Sequence, residues 1–335
     1  MRSETTVALP FSRSGLPALE VAIRVAKEAG ETLLTRLHGE KEVSYKGRAN
    51  LVSDVDKLVE RQIIEELHRE FPEDGFLAEE SEAVPSNSGY TWIIDPLDGT
   101  RNYIQEIPFF CTVLALAKGD DVLMGLTYDP VRQEMFQAVR GGGAFLNGSP
   151  ISVSGKTELE DALLSYDLGY VDEKASTAIE LVLHLWPNIQ GTRMMGSAGL
   201  GLAYAACGRV DMYFHHHLSP WDLAASLVLV PEAGGVITDK YAAPASLRSE
   251  SIIASGGVLH GQFLKATDGL WSFGENNYGQ LGIGHRSEAE RTPQSIVLED
   301  DSMHPDDEII HISCGDAHAA FVTAYGCVLT FGNNI

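Results

Sequence analysis

The chain has 335 residues, 44% of them hydrophobic, and its 24 basic and 47 acidic side chains give a formal net charge of −23. This length allows two domains, and the composition is ordinary for a globular protein. A surface this acidic repels nucleic-acid phosphates and anionic lipids, so we expect no nucleic acid and no membrane as a partner. The four cysteines include no C-x-x-C pair, which argues against a zinc knuckle and predicts a cytoplasmic location.

The amino-terminal part of the chain predicts two amphipathic helices. Apolar residues recur near the 3.6-residue period over residues 17–37 and again over 55–71. Ser53 precedes the second helix, and Asp56 stands near the reciprocal position of a capping box. We therefore expect an acidic side chain in a well-defined first helical turn.

Strands dominate the middle of the chain, and strands alternate with helices after it. Short apolar runs predict strands at 76–78, 90–94, 111–117, 122–128 and 134–139. Later segments predict helices at 198–207 and 221–232 and strands at 210–214, 236–238 and 251–254. The fold class is therefore predicted as α/β, an α+β half followed by an α/β half, with a boundary near residue 154.

Two carboxylates follow directly on the predicted strand at 90–94. Asp95 and Asp98 belong to the segment D-P-L-D-G-T, in which Gly99 can leave the Thr100 amide exposed. Amides at the start of a helix bind anions. Carboxylates beside such amides make sense if Mg²⁺ lies between them and a phosphate. The alternative is that the two aspartates only cap a turn.

Four segments resemble signatures of the inositol monophosphatase family. Residues 92–102, W-I-I-D-P-L-D-G-T-R-N, resemble the first signature. The second is matched by W-D at 221–222, followed by E-A-G-G at 232–235. Residues 76–81 and 51–56 match the acidic segments that precede the first signature.

The resemblance covers residues 15–267 and implies a phosphatase domain over 1–267. It implies a layered αβαβα sandwich of the inositol monophosphatase/fructose bisphosphatase kind. The implied reaction is hydrolysis of a small phosphate monoester, first of all inositol monophosphate, by a metal-activated water and in-line displacement. Fructose 1,6-bisphosphate, histidinol phosphate and a nucleotide 3′-phosphate are alternative substrates. The family also implies two or three Mg²⁺ ions per site and a homodimer.

The matching segments carry the family's site residues over by position. The implied metal ligands are Glu79, Asp95, the Leu97 carbonyl, Asp98 and Asp222. The implied catalytic residues are Asp56, Glu79 and Thr100, with Thr100 and Glu79 orienting the attacking water and Asp56 accepting from the Thr100 hydroxyl. The implied substrate-binding residues are Asp98, Gly99, Thr100, Gly196, Ser197, Ala198, His215 and Asp222. For Ser197, a role as helix N-cap is an equally good and compatible interpretation.

The run His215-His216-His217 departs from the family pattern. Animal inositol enzymes carry a glutamate at the position of His215, where it accepts from an inositol hydroxyl. A histidine can donate or accept there, so selectivity for inositol is open. A zinc site is the alternative for three histidines, but adjacent strand residues point to opposite faces and cannot easily chelate one ion.

The last segment, residues 268–335, is rich in glycine and aromatic residues. Its phrases W-S-F-G at 271–274, Y-G-Q-L-G at 278–282 and S-C-G-D-A-H at 313–318 resemble repeats of the regulator-of-chromosome-condensation type. One blade and the start of another predict an incomplete β-propeller blade segment, because propellers need several blades to close. Such a partial propeller-repeat tail suggests a protein partner, and the alternative function is a non-catalytic scaffold that binds through it.

Overall fold

The computed structural model describes residues 6–47, 50–267, 271–276, 287–295, 309–314, 318–323 and 328–332. The chain divides into two compact units, Met1–Ala178 with Asn188–Gln262 and Ile179–Pro187 with Phe263–Ile335. The helices of the described residues are α1 Ala18–Arg36, α2 Asp54–Glu70, α3 Thr100–Ile104, α4 Asp172–Leu185, α5 Ala198–Ala206, α6 Pro220–Leu223, α7 Ser226–Glu232 and α8 Gly257–Thr267. None of them is both long and apolar enough to cross a bilayer.

The strands fall into one set before residue 151 and two sets after it. The first set is β1 Val43–Gly47, β2 Asn50–Ser53, β3 Gly75–Ala78, β4 Tyr90–Asp98, β5 Cys111–Lys118, β6 Asp121–Asp129, β7 Glu134–Val139, β8 Gly143–Leu146 and β9 Ser149–Pro150. The next set is β10 Leu163–Tyr166, β11 Gly191–Arg193, β12 Met212–His215, β13 Gly235–Thr238 and β14 Ile252–Gly256. The last set is β15 Trp271–Asn276, β16 Ser287–Ser295, β17 Ile309–Cys314, β18 His318–Thr323 and β19 Val328–Gly332.

A seven-stranded sheet, β3 to β9 in sequence order, forms the centre of the first unit. β3 runs parallel to β4, and each later neighbour is antiparallel. The apolar stripes of α1 and α2 share a buried cluster with Trp92, Ile94 and Leu114 of this sheet. Both predicted amino-terminal helices are confirmed, and so is the capping box of Ser53 and Asp56.

A five-stranded mixed sheet lies beyond the first, in the order β11-β10-β12-β14-β13. β10 is parallel to β11 and to β12, whereas β14 is antiparallel to both of its neighbours. α5 and α7 contact strands of both sheets and contribute to the core between them. The first unit is therefore layered as helices, sheet, helices and sheet, which agrees with the first four layers of the predicted αβαβα sandwich.

Close packing of α7 on the first sheet depends on a glycine in β6. A Cβ added to Gly125 would lie 2.5 Å from the Cα of Ala225, closer than real atoms approach. Only a residue without a side chain lets the segment that joins α6 to α7 lie this near the strand. Ala225 lies two residues after the end of α6, so this contact contributes to the position of α6, which carries Asp222.

Two sequence predictions were wrong in detail. The helix predicted over 221–232 is interrupted between α6 and α7. The Ser226 hydroxyl donates to the Leu223 carbonyl at 2.6 Å, a local bond that competes with the helical pattern. The strand predicted at 90–94 continues to Asp98, so the two aspartates lie in the strand and not in a turn after it.

The carboxyl-terminal strands form two small antiparallel sheets. β15 pairs with β16, and β18 pairs with β17 on one side and β19 on the other. The prediction of an incomplete propeller blade stays a prediction.

Candidate active site

A cavity of about 320 Å³ in the first unit is lined by most of the predicted site residues. It lies where the ends of β3, β4, β10 and β12 meet the starts of α3, α5 and α6. The predicted residues that line it are Glu79, Asp95, Leu97, Asp98, Gly99, Thr100, Gly196, Ser197, Ala198, His215 and Asp222. Asp56 is reached through a hydrogen bond from Thr100.

The centre of the cavity is a trio of aspartates, Asp95, Asp98 and Asp222. One carboxylate oxygen from each lies within 4.8 Å of the other two. Residues three apart in a regular strand point to opposite faces. The pairing of β4 with β5 is irregular between Asp95 and Asp98, and such a bulge lets both carboxylates turn toward one side. Asp222 comes from α6, whose capping box with Ser219 fixes its first turn.

Asp95 is buried among other carboxylates. It is 1% exposed, and its Oδ1 accepts from the Leu97 amide at 3.0 Å. Burial raises its pKa well above the ordinary value, and the nearby carboxylates of Glu79, Asp98 and Asp222 raise it further. A cation would relieve this repulsion, and an all-oxygen donor set of carboxylates fits a hard divalent ion such as Mg²⁺.

Asp98 is held by the start of α5. Its Oδ2 accepts from the Ser197 hydroxyl and, at 2.8 Å, from the Gly199 amide, while its Oδ1 accepts from the Ala198 amide at 3.2 Å. The thiol of Cys111 donates to Oδ2 at 3.4 Å. Burial raises the Asp98 pKa, and the hydrogen bonds oppose that shift. Ser197 is also the N-cap of α5, as the alternative interpretation had it.

Thr100 and Asp56 form the hydrogen-bonded pair that the resemblance implied. The Thr100 hydroxyl lies 3.0 Å from Asp56 Oδ1 and 3.0 Å from the Leu97 carbonyl, both of which can accept its proton. Asp56 is fully buried and also accepts from the Ser53 amide and hydroxyl. Gly99 precedes α3 with φ +92°, a left-handed conformation that favours glycine. Asp56 and the Leu97 carbonyl therefore orient the Thr100 hydroxyl proton. This leaves an oxygen lone pair of Thr100 able to accept from a group in the cavity.

The histidine run contributes two residues to the cavity wall, His215 and His217. Nδ1 of His215 accepts from the His217 amide at 3.0 Å, so the neutral ring carries its proton on Nε2. Burial, followed by the charges of His216 and His217, lowers the His215 pKa to about 3. His215 is thus a neutral donor near neutral pH. Among the described residues the run forms no three-ligand metal group, so the zinc alternative gains no support.

Sequence reasoning missed several polar residues of the cavity wall, among them Asp167 and Asn102. Asp167 follows β10 directly and accepts from the amides of Met195 and Gly196. Asn102 of α3 donates to the Met195 carbonyl at 2.7 Å and the Phe109 carbonyl at 2.8 Å. A signal for Asp167 was present, because it is an acidic residue at the carboxyl end of an apolar segment. This signal could have identified Asp167 as a site residue only with the knowledge that β10 and β12 are parallel neighbours.

Comparison with known proteins gives consistent matches over the first three quarters of the chain. The sequence profile of the inositol monophosphatase family matches residues 16–272, and that of the regulator of chromosome condensation (RCC1) repeat matches 268–322. The inositol monophosphatase of Dictyostelium discoideum is 37% identical over 244 residues, which are 70% of this chain and 89% of that protein. The inositol-1-monophosphatase of Mesorhizobium japonicum is 37% identical over 262 residues, 76% of this chain and 97% of that protein.

Solved structures match the same part of the chain. The extragenic suppressor protein suhB of Bartonella henselae superposes with a TM-score of 0.72 at 35% identity, covering 74% of this chain and 97% of that one. The IMPase of Thermotoga maritima gives a TM-score of 0.70 at 32% identity, covering 75% of this chain and 96% of that one. With this coverage, and with the aspartate trio and the Thr100–Asp56 pair in place, the chain belongs to the inositol monophosphatase family.

Proposed function

We propose that this chain is a Mg²⁺-dependent phosphoric monoester hydrolase that removes phosphate from inositol monophosphate. The observation that carries the proposal is the trio of Asp95, Asp98 and Asp222, which lines one cavity with the first turn of α3. Relatives at 37% identity named inositol monophosphatase support the choice of substrate.

The proposed metal ligands are the carboxylates of the cavity and one carbonyl. Glu79, Asp95 and the Leu97 carbonyl would hold one ion, and Asp95, Asp98 and Asp222 a second, with two or three ions in all. When bound, Mg²⁺ supplies a water nucleophile near neutral pH and charge stabilisation for the leaving oxygen. The mutual repulsion that raises the Asp95 pKa supports this assignment, since a bound cation would offset it.

The remaining site residues act by orientation. Thr100 points its proton toward Asp56 and the Leu97 carbonyl, so its oxygen is left to accept from the attacking water, together with Glu79. The amides of Gly99 and Thr100 would donate to the phosphate oxygens. These groups hold nucleophile and phosphate in line, which is where most of the catalysis of phosphoryl transfer arises.

The alcohol side of the substrate would meet Asp98, Asp222, the segment Gly196–Ala198 and His215. Because His215 presents Nε2–H, its partner on the substrate must be an acceptor. An inositol hydroxyl can accept as well as donate. Fructose 1,6-bisphosphate, histidinol phosphate and a nucleotide 3′-phosphate also carry acceptors and are the alternatives.

Phosphate release from a panel of these esters, with and without Mg²⁺, tests the proposal. Inositol monophosphate should be the best substrate, release should require Mg²⁺, and Asp98→Asn should abolish it. A folded protein that releases phosphate from none of the four substrates would contradict the proposal.

A second candidate function concerns the tail, because the RCC1 repeat profile matches residues 268–322. We propose a catalytic domain over 1–267, with a subdomain boundary near 154, and a partial propeller-repeat tail over 268–335 that binds a protein partner. Truncation after Thr267 separates the two functions. Full phosphatase activity without the tail supports the catalytic domain, and loss of activity contradicts an independent domain of this extent.

Homodimer formation and a cytoplasmic location complete the proposal. Family resemblance supports the dimer, which light scattering at several protein concentrations would test. The free thiols of Cys111 and Cys207 support a reducing compartment. A monomeric mass at all concentrations would contradict the dimer.

A further inference from the structure

Asp167 is a buried carboxylate of the cavity wall that the proposed reaction does not use. It follows β10 and is 6% exposed. Its Oδ1 accepts from the Met195 amide at 2.9 Å and from the Gly196 amide at 2.6 Å. Its Oδ2 lies 3.2 Å from the Tyr213 hydroxyl of β12. Both carboxylate oxygens of Asp167 are therefore engaged in hydrogen bonds.

The segment that Asp167 holds leads directly into α5. The Asn102 amide donates to the Met195 carbonyl at 2.7 Å, so Asp167 and Asn102 hold Met195 by its two backbone groups. Gly196 has φ +80°, and a Cβ there would lie 3.1 Å from Asn102 Nδ2, so the segment passes closely over α3. Ser197 comes next and is the N-cap of α5.

The start of α5 is what orients Asp98. Of the four groups that donate to the Asp98 carboxylate, three belong to residues 197–199. A displacement of Met195 and Gly196 would move all three donors together. The contacts thus run from Asp167 through two amides and the helix start to a carboxylate of the proposed metal site.

We propose that Asp167 is a positioning residue that sets divalent-metal affinity by fixing the 195–199 segment, and through it the Asp98 carboxylate. The inference rests on the proposed function of Asp98 as a metal ligand. Residues that orient a metal ligand commonly change metal affinity or activity by about 10–100-fold when they are removed. A purely structural role would change stability alone.

Asp129 supplies a matched control. It is also buried, and its Oδ1 accepts from two amides, those of Val131 at 2.9 Å and Arg132 at 3.0 Å. Its Oδ2 lies 2.9 Å from the Arg132 guanidinium. It does not line the cavity. Loss of its side chain should therefore affect folding as loss of Asp167 does, without touching Asp98.

The experiment compares the full chain with Asp167→Ala, Asp167→Asn and Asp129→Ala. The probe is Mn²⁺, whose binding is followed by electron paramagnetic resonance without substrate, beside melting temperature and Mg²⁺-dependent phosphate release per folded molecule. Asp167→Ala should weaken Mn²⁺ binding by about 10-fold or more. Asp167→Asn should stay within about threefold of wild type, because its amide oxygen can still accept from both backbone amides. Asp129→Ala should melt lower and bind Mn²⁺ as wild type does.

The outcomes separate this inference from the proposed function. Wild-type Mn²⁺ affinity in Asp167→Ala, with only a lower melting temperature, would overturn the inference. So would Asp167→Asn binding as weakly as Asp167→Ala. If wild type releases no phosphate but Mn²⁺ binding still falls in Asp167→Ala, the proposed function fails and the inference stands. If Asp167→Ala does not fold, Asp167→Ser takes its place, since its shorter side chain leaves the amides to water.

Discussion

Two buried aspartates in the seven-stranded sheet, Asp95 on β4 and Asp129 on β6, show opposite arrangements. Asp129, at the end of β6, accepts from two amides and has the Arg132 guanidinium 2.9 Å away. Asp95, on β4, accepts from the Leu97 amide and faces three further carboxylates. Both lie in one sheet and are almost fully buried, so burial alone does not distinguish them.

The difference between the two lies in what balances the negative charge. The charge of Asp129 is met by a cation and amides from its own turn, which makes it part of the fold. The charge of Asp95 is opposed by Glu79, Asp98 and Asp222, an arrangement that lowers stability unless a cation binds. A group of mutually repelling carboxylates in a cavity is therefore the better indicator of function.

The largest expected effect is that of Asp95→Asn. The substitution removes a charge that the proposed metal site needs, so kcat/KM should fall by at least about 1000-fold. Metal-free stability should not fall, because repulsion is relieved and the Asn oxygen can still accept from the Leu97 amide. Phosphate release measures the fall in kcat/KM, and urea unfolding in EDTA measures the stability without metal. A marked loss of stability in the absence of metal would contradict the claim that neighbouring carboxylates repel Asp95.

Asp167 is an intermediate case, with hydrogen-bond donors on both oxygens and Asp98 nearby. Burial, with a smaller contribution from the Asp98 charge, raises its pKa from 3.8 to about 6. The folded chain therefore keeps this proton up to a higher pH than the unfolded chain does, and stability is lost as pH rises through the folded pKa. Since Asn does not titrate, Asp167→Asn should gain stability relative to wild type between about pH 4 and 7, by up to roughly 3 kcal/mol.

Urea unfolding of both proteins across this range in EDTA measures that difference. The depressed pKa values of His215 and His260 act in the opposite direction over the same window, but they are common to both proteins and cancel. A stability difference that does not change with pH would show that Asp167 is not a raised-pKa group.

A smaller effect is expected for Asp129→Asn. The substitution removes the carboxylate charge that faces the Arg132 guanidinium, and it should lower stability by about 2 kcal/mol. The loss is limited to this size because Arg132 is itself partly exposed and can turn to solvent. Activity per folded molecule should match wild type. Denaturant unfolding and phosphate release per mole of folded protein check both. Loss of activity beyond the loss of folded protein would remove the distinction between the two aspartates.

The smallest effect is expected for Cys111→Ala. The Cys111 thiol donates to Asp98 at 3.4 Å, and a thiol is a weak donor. With the Ser197, Ala198 and Gly199 bonds still in place, phosphate release should change by less than about threefold. Steady-state kinetics measure this change. An effect as large as that of Asp167→Ala would contradict the prediction and show that the Cys111 thiol helps to orient Asp98.

Local sequence signals predicted most of the fold, and the family resemblance implied the full set of site carboxylates. The capping box of Ser53 and Asp56 depends on a pattern of only four consecutive residues, and the 134–139 strand lies between clear turn residues. Both could therefore be predicted from the sequence. The site residues of the 92–102 segment followed from resemblance. Non-local contacts could not be predicted, such as the bulge between Asp95 and Asp98, which depends on pairing with β5. Asp167 was missed because its role depends on the parallel pairing of β10 with β12.

The most direct test of the account is phosphate release from inositol 1-phosphate as a function of Mg²⁺ concentration. Wild type, Asp95→Asn and Asp129→Asn should be measured side by side and expressed per mole of folded protein. Saturable Mg²⁺-dependent release in wild type, within about twofold in Asp129→Asn and at background in Asp95→Asn, is the predicted result. Wild-type release by Asp95→Asn at the same Mg²⁺ concentrations would contradict the claim that the aspartate trio is the catalytic metal site.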